Sequence, residues 1–188
     1  MNLEDIISAI YDLPEESRIL LQACIIEVNF PKGHLLIEAG KIERSVFFIK
    51  KGIVRAFSEV ESSSVTFWFG TEGDTILSIE NYVANRRSYE SIELLDDSQL
   101  YQIRTDKLQE LYHADIHLAN WGRKLVEYEL IKTEKRLISM QVKSAADRYK
   151  ELMEKSPELL QRAKLIHLAS YLGITQVSLS RIRANIGK

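Results

Sequence analysis

Within eleven residues near the C-terminus, Thr175, Gln176, Val177, Ser178, Ser180, Arg181, Arg183 and Asn185 gather hydroxyl, carboxamide and guanidinium groups, with no Asp or Glu among them. These groups suit recognition of a polyanion. Carboxamides and guanidiniums hydrogen-bond to base edges, and hydroxyls and arginines hold phosphates. The residues before them explain how such a set would be presented. A helix-turn-helix needs a small residue where its two helices cross, a residue tolerant of positive φ in the turn, and apolar residues locking the pair. Ala169, Gly173 and the set Leu168, Leu172, Ile174, Leu179 and Ile182 meet those three demands in order. Thr175 is placed to cap a second helix from Gln176 to about Asn185, leaving its first amides for phosphate. Gln176, Val177, Ser178 and Arg181 are then expected to read bases, with Ser180 and Arg183 on phosphates and Asn185 serving either. A plain corner of two helices with an exposed basic face is the competing reading.

Charge supports the polyanion. From Arg162 onward the chain carries Arg162, Lys164, Arg181, Arg183 and Lys188 and no acidic residue, while the whole chain has 25 basic and 27 acidic residues. The remainder is therefore acidic by seven charges, a cationic module on an acidic body. The 188 residues, 45% apolar and 28% charged, fit a folded globular protein. No apolar run reaches membrane-spanning length, and the acidic start Met1-Asn2-Leu3-Glu4-Asp5 is unlike a secretory signal, so a cytoplasmic protein with no membrane contact is expected. The single Cys24 excludes an intrachain disulfide and reads as a small core residue.

The elements that would carry this module change character along the chain. Residues 3 to about 24 have helical periodicity, with a second short helix opening at Pro14-Glu15-Glu16. Seven short β-branched and aromatic runs follow, 25–30, 34–38, 45–50, 52–60, 65–69, 90–95 and 99–103, separated by glycine-containing turns and with no helix between them. That rhythm predicts a barrel or jelly roll. Residues 106 to about 140 read as one long helix with apolar Leu118, Trp121, Leu125, Tyr128, Ile131 and Leu137, a stripe that needs the barrel or a second copy of the chain to cover it. A further helix runs from about Ser144 to Glu154, before the break at Lys155-Ser156-Pro157. The expected class is α+β in three parts: a sensor-like barrel with N-terminal helices over 1–105, a dimerisation helix over 106–140, and a helix-turn-helix domain over 141–188.

The run Leu168-Ala169-Ser170-Tyr171-Leu172-Gly173-Ile174-Thr175, with Ser178-Leu179-Ser180-Arg181-Ile182-Arg183, resembles the helix-turn-helix of the Crp/Fnr superfamily, in the version common in its Bacteroidetes-type members. Phe47 to Arg55 resembles that superfamily's strand–Gly–strand hairpin, Gly33, Gly40, Gly52 and Gly73-Asp74 fall where its barrel glycines are expected, and Ala145-Asp147-Arg148-Tyr149 resembles the first helix of its DNA-binding domain. The resemblance implies a cyclic-nucleotide-binding-type barrel, a dimerisation helix and a homodimer on double-stranded DNA, its recognition helices entering successive major grooves about 34 Å apart. It also implies a glutamate and an arginine for a cyclic nucleotide. A gapless register places Ser78 at the glutamate position and Ser88 at the arginine position, with Glu80 and Arg87 as displaced substitutes. A hydroxyl cannot replace a bidentate guanidinium on phosphate, so a barrel not gated by cyclic AMP is expected, with any small-molecule effector of another kind. The sequence ends at Lys188 without the β-hairpin wing of many members, and no wing contacts are expected.

Other constellations are weaker. His113 and His117, four apart around Asp115, have metal-ligand spacing but no third ligand, and His34 is the barrel's single histidine where a cupin-like metal enzyme needs two or three. No phosphate loop, nucleophile elbow or zinc-protease motif occurs, so neither an enzyme nor a cofactor is expected. Phe67-Trp68-Phe69 reads as barrel core and rim, or as the lining of an apolar effector pocket. His167 reads as a surface or phosphate-facing residue. The alternative function from another class is a small-molecule-binding barrel whose helical tail contacts proteins.

Overall fold

The computed structural model describes residues 1–61 and 63–186; the expected terminal charge Lys188 lies outside them. Helices α1 (Leu3–Ile10) and α2 (Glu15–Ala23) open the chain, the first capped by Asn2 accepting the Asp5 amide and the second preceded by Pro14. Eight strands follow: β1 (Ile26–Phe30), β2 (Leu35–Ile37), β3 (Ser45–Lys51), β4 (Val54–Val60), β5 (Ser63–Gly70), β6 (Thr75–Ile76), β7 (Ser91–Leu94) and β8 (Ser98–Arg104). They form two four-stranded antiparallel sheets, ordered β1-β8-β3-β6 and β2-β7-β4-β5. Each of the seven expected strands is present. The two-residue β6 and the short helix α3 (Ile79–Ala84) correct the expectation of strands without an intervening helix. Elements of two and six residues are too short to show a period.

The sheets face one another over Ile37, Phe47, Ile49, Val54, Ala56, Ile92, Leu94 and Leu100. The β3 strand is buried along both faces, because Val46 and Phe48 point the other way and meet the helices. There Ile6, Ile7, Leu21, Leu108, Leu118 and Trp121 complete a second core. Trp121 is fully buried, edge-on to Phe48 at 6.0 Å, and donates its indole N–H to the Ile7 carbonyl at 3.0 Å. Cys24 is half-buried and packs at the margin of this core, not within it.

The connecting segment is two helices, α4 (Thr105–Ala114) and α5 (Ile116–Val142), where one was expected. Asp115 makes the break. Its backbone is extended, its carboxylate accepts the amides of His117 and Leu118, and Ser17 donates to it at 2.6 Å. A short carboxylate that satisfies the next helix's free amides competes with continuing the previous one. The front of α5 (Leu118, Trp121, Leu125) is buried on the barrel and α1. From Tyr128 the stripe is uncovered, with Leu130, Leu137 and Val142 all exposed. Four helices complete the fold: α6 (Ala145–Lys155), α7 (Pro157–Arg162), α8 (Leu165–Tyr171) and α9 (Gln176–Ile186). Among the described residues no helix is long and apolar enough to cross a membrane.

Candidate nucleic-acid interface

The two helices α8 and α9 meet through Leu168, Ala169, Leu172 and Leu179, all buried, with Ile174, Ile182 and Ile186 packed around them. The turn is made as the sequence requires. Gly173 has φ +68°, and the Ile174 amide reaches back to the Ala169 carbonyl at 3.0 Å. Thr175 then caps α9, accepting the Ser178 amide at 3.2 Å. The first intrahelical bond of α9 runs from Leu179 N–H to the Thr175 carbonyl, so the amides of Gln176 and Val177 stand free at an exposed helix start.

Thr175, Gln176, Val177, Ser180, Arg181, Arg183 and Asn185 are exposed together on the outer side of this helix pair. Ser178 is half-buried, and its hydroxyl is engaged with that of Thr175 at 3.0 Å. Among the described residues neither Arg181 nor Arg183 forms an ion pair. A convex, rigid, cationic helix with unspent donors and a free N-terminus can hold phosphates and reach base edges.

Three other arginines of the helices are spent internally. Arg162, counted with the cationic terminus, pairs with Asp96 at 2.7 Å and approaches Glu72 at 3.4 Å, so it ties α7 to the barrel and does not face a polyanion. Arg148 donates to the carbonyls of Lys143 and Leu172, joining the end of α5 to the end of α8. Arg136 of α5 donates to the carbonyls of Phe67 and Tyr171 and stacks on the Tyr171 ring, 3.6 Å from its centroid.

His167 is also turned inward, contrary to the surface role expected of it. Its Nδ1 lies 2.7 Å from Arg55 Nη1, on β4. The Arg55 side chain is almost wholly buried, donates to the hydroxyls of Ser64 and Thr66, covers Phe57 and forms an ion pair with Glu93 on β7 at 2.7 Å, off the axis of a linear hydrogen bond. Burial first, and then the Arg55 and Lys164 charges, hold the imidazole pKa below its ordinary value against an opposing pull from Glu93. One turn on, Ser170 Oγ accepts the Thr66 amide at 2.9 Å and donates to the Ser64 carbonyl, filling part of the edge of β5. Sequence reasoning missed Arg55 and Ser170. An arginine amid Gly-Ile-Val-Arg-Ala-Phe was the available signal, since a charge inside an apolar strand demands partners.

The four barrel residues expected at an effector site lie on one segment. Ser78, 2% exposed, precedes α3 with its hydroxyl unpartnered; Glu80 is half-buried in the first turn of α3; Arg87 is exposed in the following loop. Ser88 is 3% exposed, its hydroxyl donating to the Glu90 carbonyl and accepting the Glu90 amide. Asn81, which the sequence did not flag, organises the segment by accepting the Glu43 amide and donating to the Lys41 and Arg86 carbonyls. The rim aromatics are split: Phe67 lies 6.4 Å from Tyr89, while Phe69 packs edge-on against Tyr171 of the helical domain at 5.1 Å. His113 Nδ1 is bonded to the Gln109 carbonyl, and among the described residues no cluster of three or more His, Cys, Asp or Glu could hold a metal.

Residues 27–115 match the family of the cyclic nucleotide-binding domain. No curated protein matches the chain. Among solved structures, FixK2 from Bradyrhizobium japonicum is similar at 17% identity and TM-score 0.75, over 87% of this chain and 84% of that one. A protein from Eubacterium rectale assigned to the crp/fnr family of transcriptional regulators is similar at 16% identity and TM-score 0.74, over 94% and 84%. The c-di-GMP-responsive global regulator CLP of Xanthomonas campestris is similar at 15% identity and TM-score 0.70, over 93% and 92%. At these identities the likeness is one of fold, and it extends over barrel, connecting helices and helix-turn-helix together.

Proposed function

We propose that this chain, whose barrel belongs to the cyclic nucleotide-binding domain family and whose whole architecture is that of the Crp/Fnr superfamily, is a homodimeric, sequence-specific DNA-binding transcription regulator. The observation that carries the reading is α9: seven of the eight residues expected at its interface are exposed on one rigid element, with the α9 amides free beside them. Gln176 and Val177 at the helix start, with Arg181 further along α9, take the base edges; Ser180, Arg183 and Thr175 take phosphates, and Asn185 reaches either. Dimerisation is supported by the uncovered half of α5, where Tyr128, Ile131 and Lys132 border a cleft of about 310 Å³ against α1. A second copy of that helix would cover it and set two recognition helices one DNA turn apart.

The barrel is the sensor in this reading, and it does not take cyclic AMP. Ser78 and Ser88 offer hydroxyls where the resemblance implies a carboxylate and a guanidinium, Ser88 is bonded within its own loop, and Arg87 points to solvent. An effector, if the regulator uses one, acts by shifting the population of helix placements and needs no catalytic residue. Fluorescence anisotropy on a selected palindromic site tests the proposal: two chains bind each site, and affinity falls steeply with salt as phosphate contacts release counterions. Salt-independent or absent binding across a randomised duplex pool would leave the barrel-with-protein-tail alternative standing instead.

A further inference from the structure

We propose that His167 makes the seating of the helix-turn-helix on the barrel proton-sensitive: a neutral imidazole holds α8 against β4 and β5, and protonating that ring unseats it. The geometry fixes the protonation state. A guanidinium has only donors, so the 2.7 Å contact between Arg55 Nη1 and His167 Nδ1 requires a lone pair on Nδ1 and places the ring proton on Nε2. An imidazolium at the same place would set N–H against N–H, and cation against cation, beside a guanidinium that is 4% exposed.

The charges around the ring do not relieve this. From β4 it faces Arg55, whose own neighbour is Glu59; from β7 it meets Glu93; and from the start of α8 it meets Lys164. Glu93 is the one group that favours the charged ring, and it is already the ion-pair partner of Arg55. Arg136 and Arg162 hold the domain at other points and do not touch the imidazole. Ser170 follows His167 by three residues on the same helix, so its bond to the Thr66 amide forms only while α8 is seated. Because α9 follows α8 through a four-residue turn packed on it, the seat of α8 sets the direction in which the recognition helix points.

The linkage has one sign. The seated ring has a pKa below the free imidazole value of 6.5, so seating is fully present above that value and is lost as pH falls toward the seated pKa. Across that window the seating equilibrium falls by about tenfold per pH unit. The Thr66 amide reports it directly. Its hydrogen-exchange protection in the full-length chain, corrected for intrinsic exchange, should hold from pH 8 to 7 and then fall, while amides of the central β3–β8 ladder stay protected. The fall should begin at a pH above that at which the His167 ring resonance titrates in the same sample, since protection reads the seating constant and the seated ring titrates last. In His167→Gln the side-chain carbonyl accepts from Arg55 at every pH, so Thr66 protection should be independent of pH. Thr66 protection that ignores pH in the unmodified chain, or that falls equally in His167→Gln, would overturn the proposal.

Discussion

Asn81 and Ser88 in the barrel and Gln176, Arg181 and Asn185 in α9 are polar side chains of comparable hydrogen-bonding capacity with opposite fates. Asn81 is buried and bonded to three backbone groups, and Ser88 closes a turn on Glu90. The α9 residues are exposed, and the helix beneath them is held by Leu179 and Ile182 without their help. A polar group consumed by its own fold contributes to stability; one left unspent on a rigid element is available to a partner. In this respect Asn81 and Ser88 are structural, and α9 is the proposed interface.

Four substitutions or titrations break or sharpen that contrast, the largest first. Leu179→Ala removes a fully buried side chain from the small core under α9. It should cost about 2–5 kcal/mol of stability, read by denaturant unfolding, and take DNA binding with it. Arg181→Ala should leave unfolding unchanged and cost about 1–3 kcal/mol of DNA affinity with relaxed preference at one base pair, whereas Arg87→Ala should leave both untouched. Equal losses from the two arginines would erase the distinction between the regions. Thr175→Ala removes the cap of α9 and should cost about 1 kcal/mol in thermal unfolding, with a smaller loss of DNA affinity than Arg181→Ala. The smallest expected signal is calorimetric: cyclic AMP or cyclic GMP should give no saturable heat up to about 1 mM, a free energy of binding weaker than about 4 kcal/mol. Micromolar binding abolished by Arg87→Ala would make the barrel segment an interface as well.

Where local pattern and final structure coincide, one physical rule operates over a few residues. Gly173 takes positive φ, Thr175 caps, and the α8–α9 leucines and isoleucines repeat at helical spacing, so the helix-turn-helix is legible in the sequence. The β3 and β4 strands were legible from β-branched and aromatic runs between glycines. The break at Asp115 was not, because the helical period continues across it, and only the cap bonds and the distant hydroxyl of Ser17 distinguish it from a helix interior. The α3 helix was missed for lack of length, and Asn81 because its three partners lie at sequence separations from 5 to 40.

By itself the sequence determined that one short helix near the C-terminus carries hydroxyl, carboxamide and guanidinium groups without an acid, that the barrel carries serines where charge is implied by its resemblance, and that a cationic terminus joins an acidic body. These follow from side-chain chemistry and from contacts within one or two helical turns. Only the tertiary structure decided which cations remain available. Arg162 and His167 lie in the same basic stretch as Arg181 and Arg183, yet the first pair is committed to Asp96, Glu72 and Arg55, the partners lying 66 to 112 residues away, and the second pair has no ion-pair partner among the described residues. Charge along a chain is additive, but its availability depends on which surfaces fold against each other, and nothing in the local pattern around residue 167 records the buried guanidinium it meets.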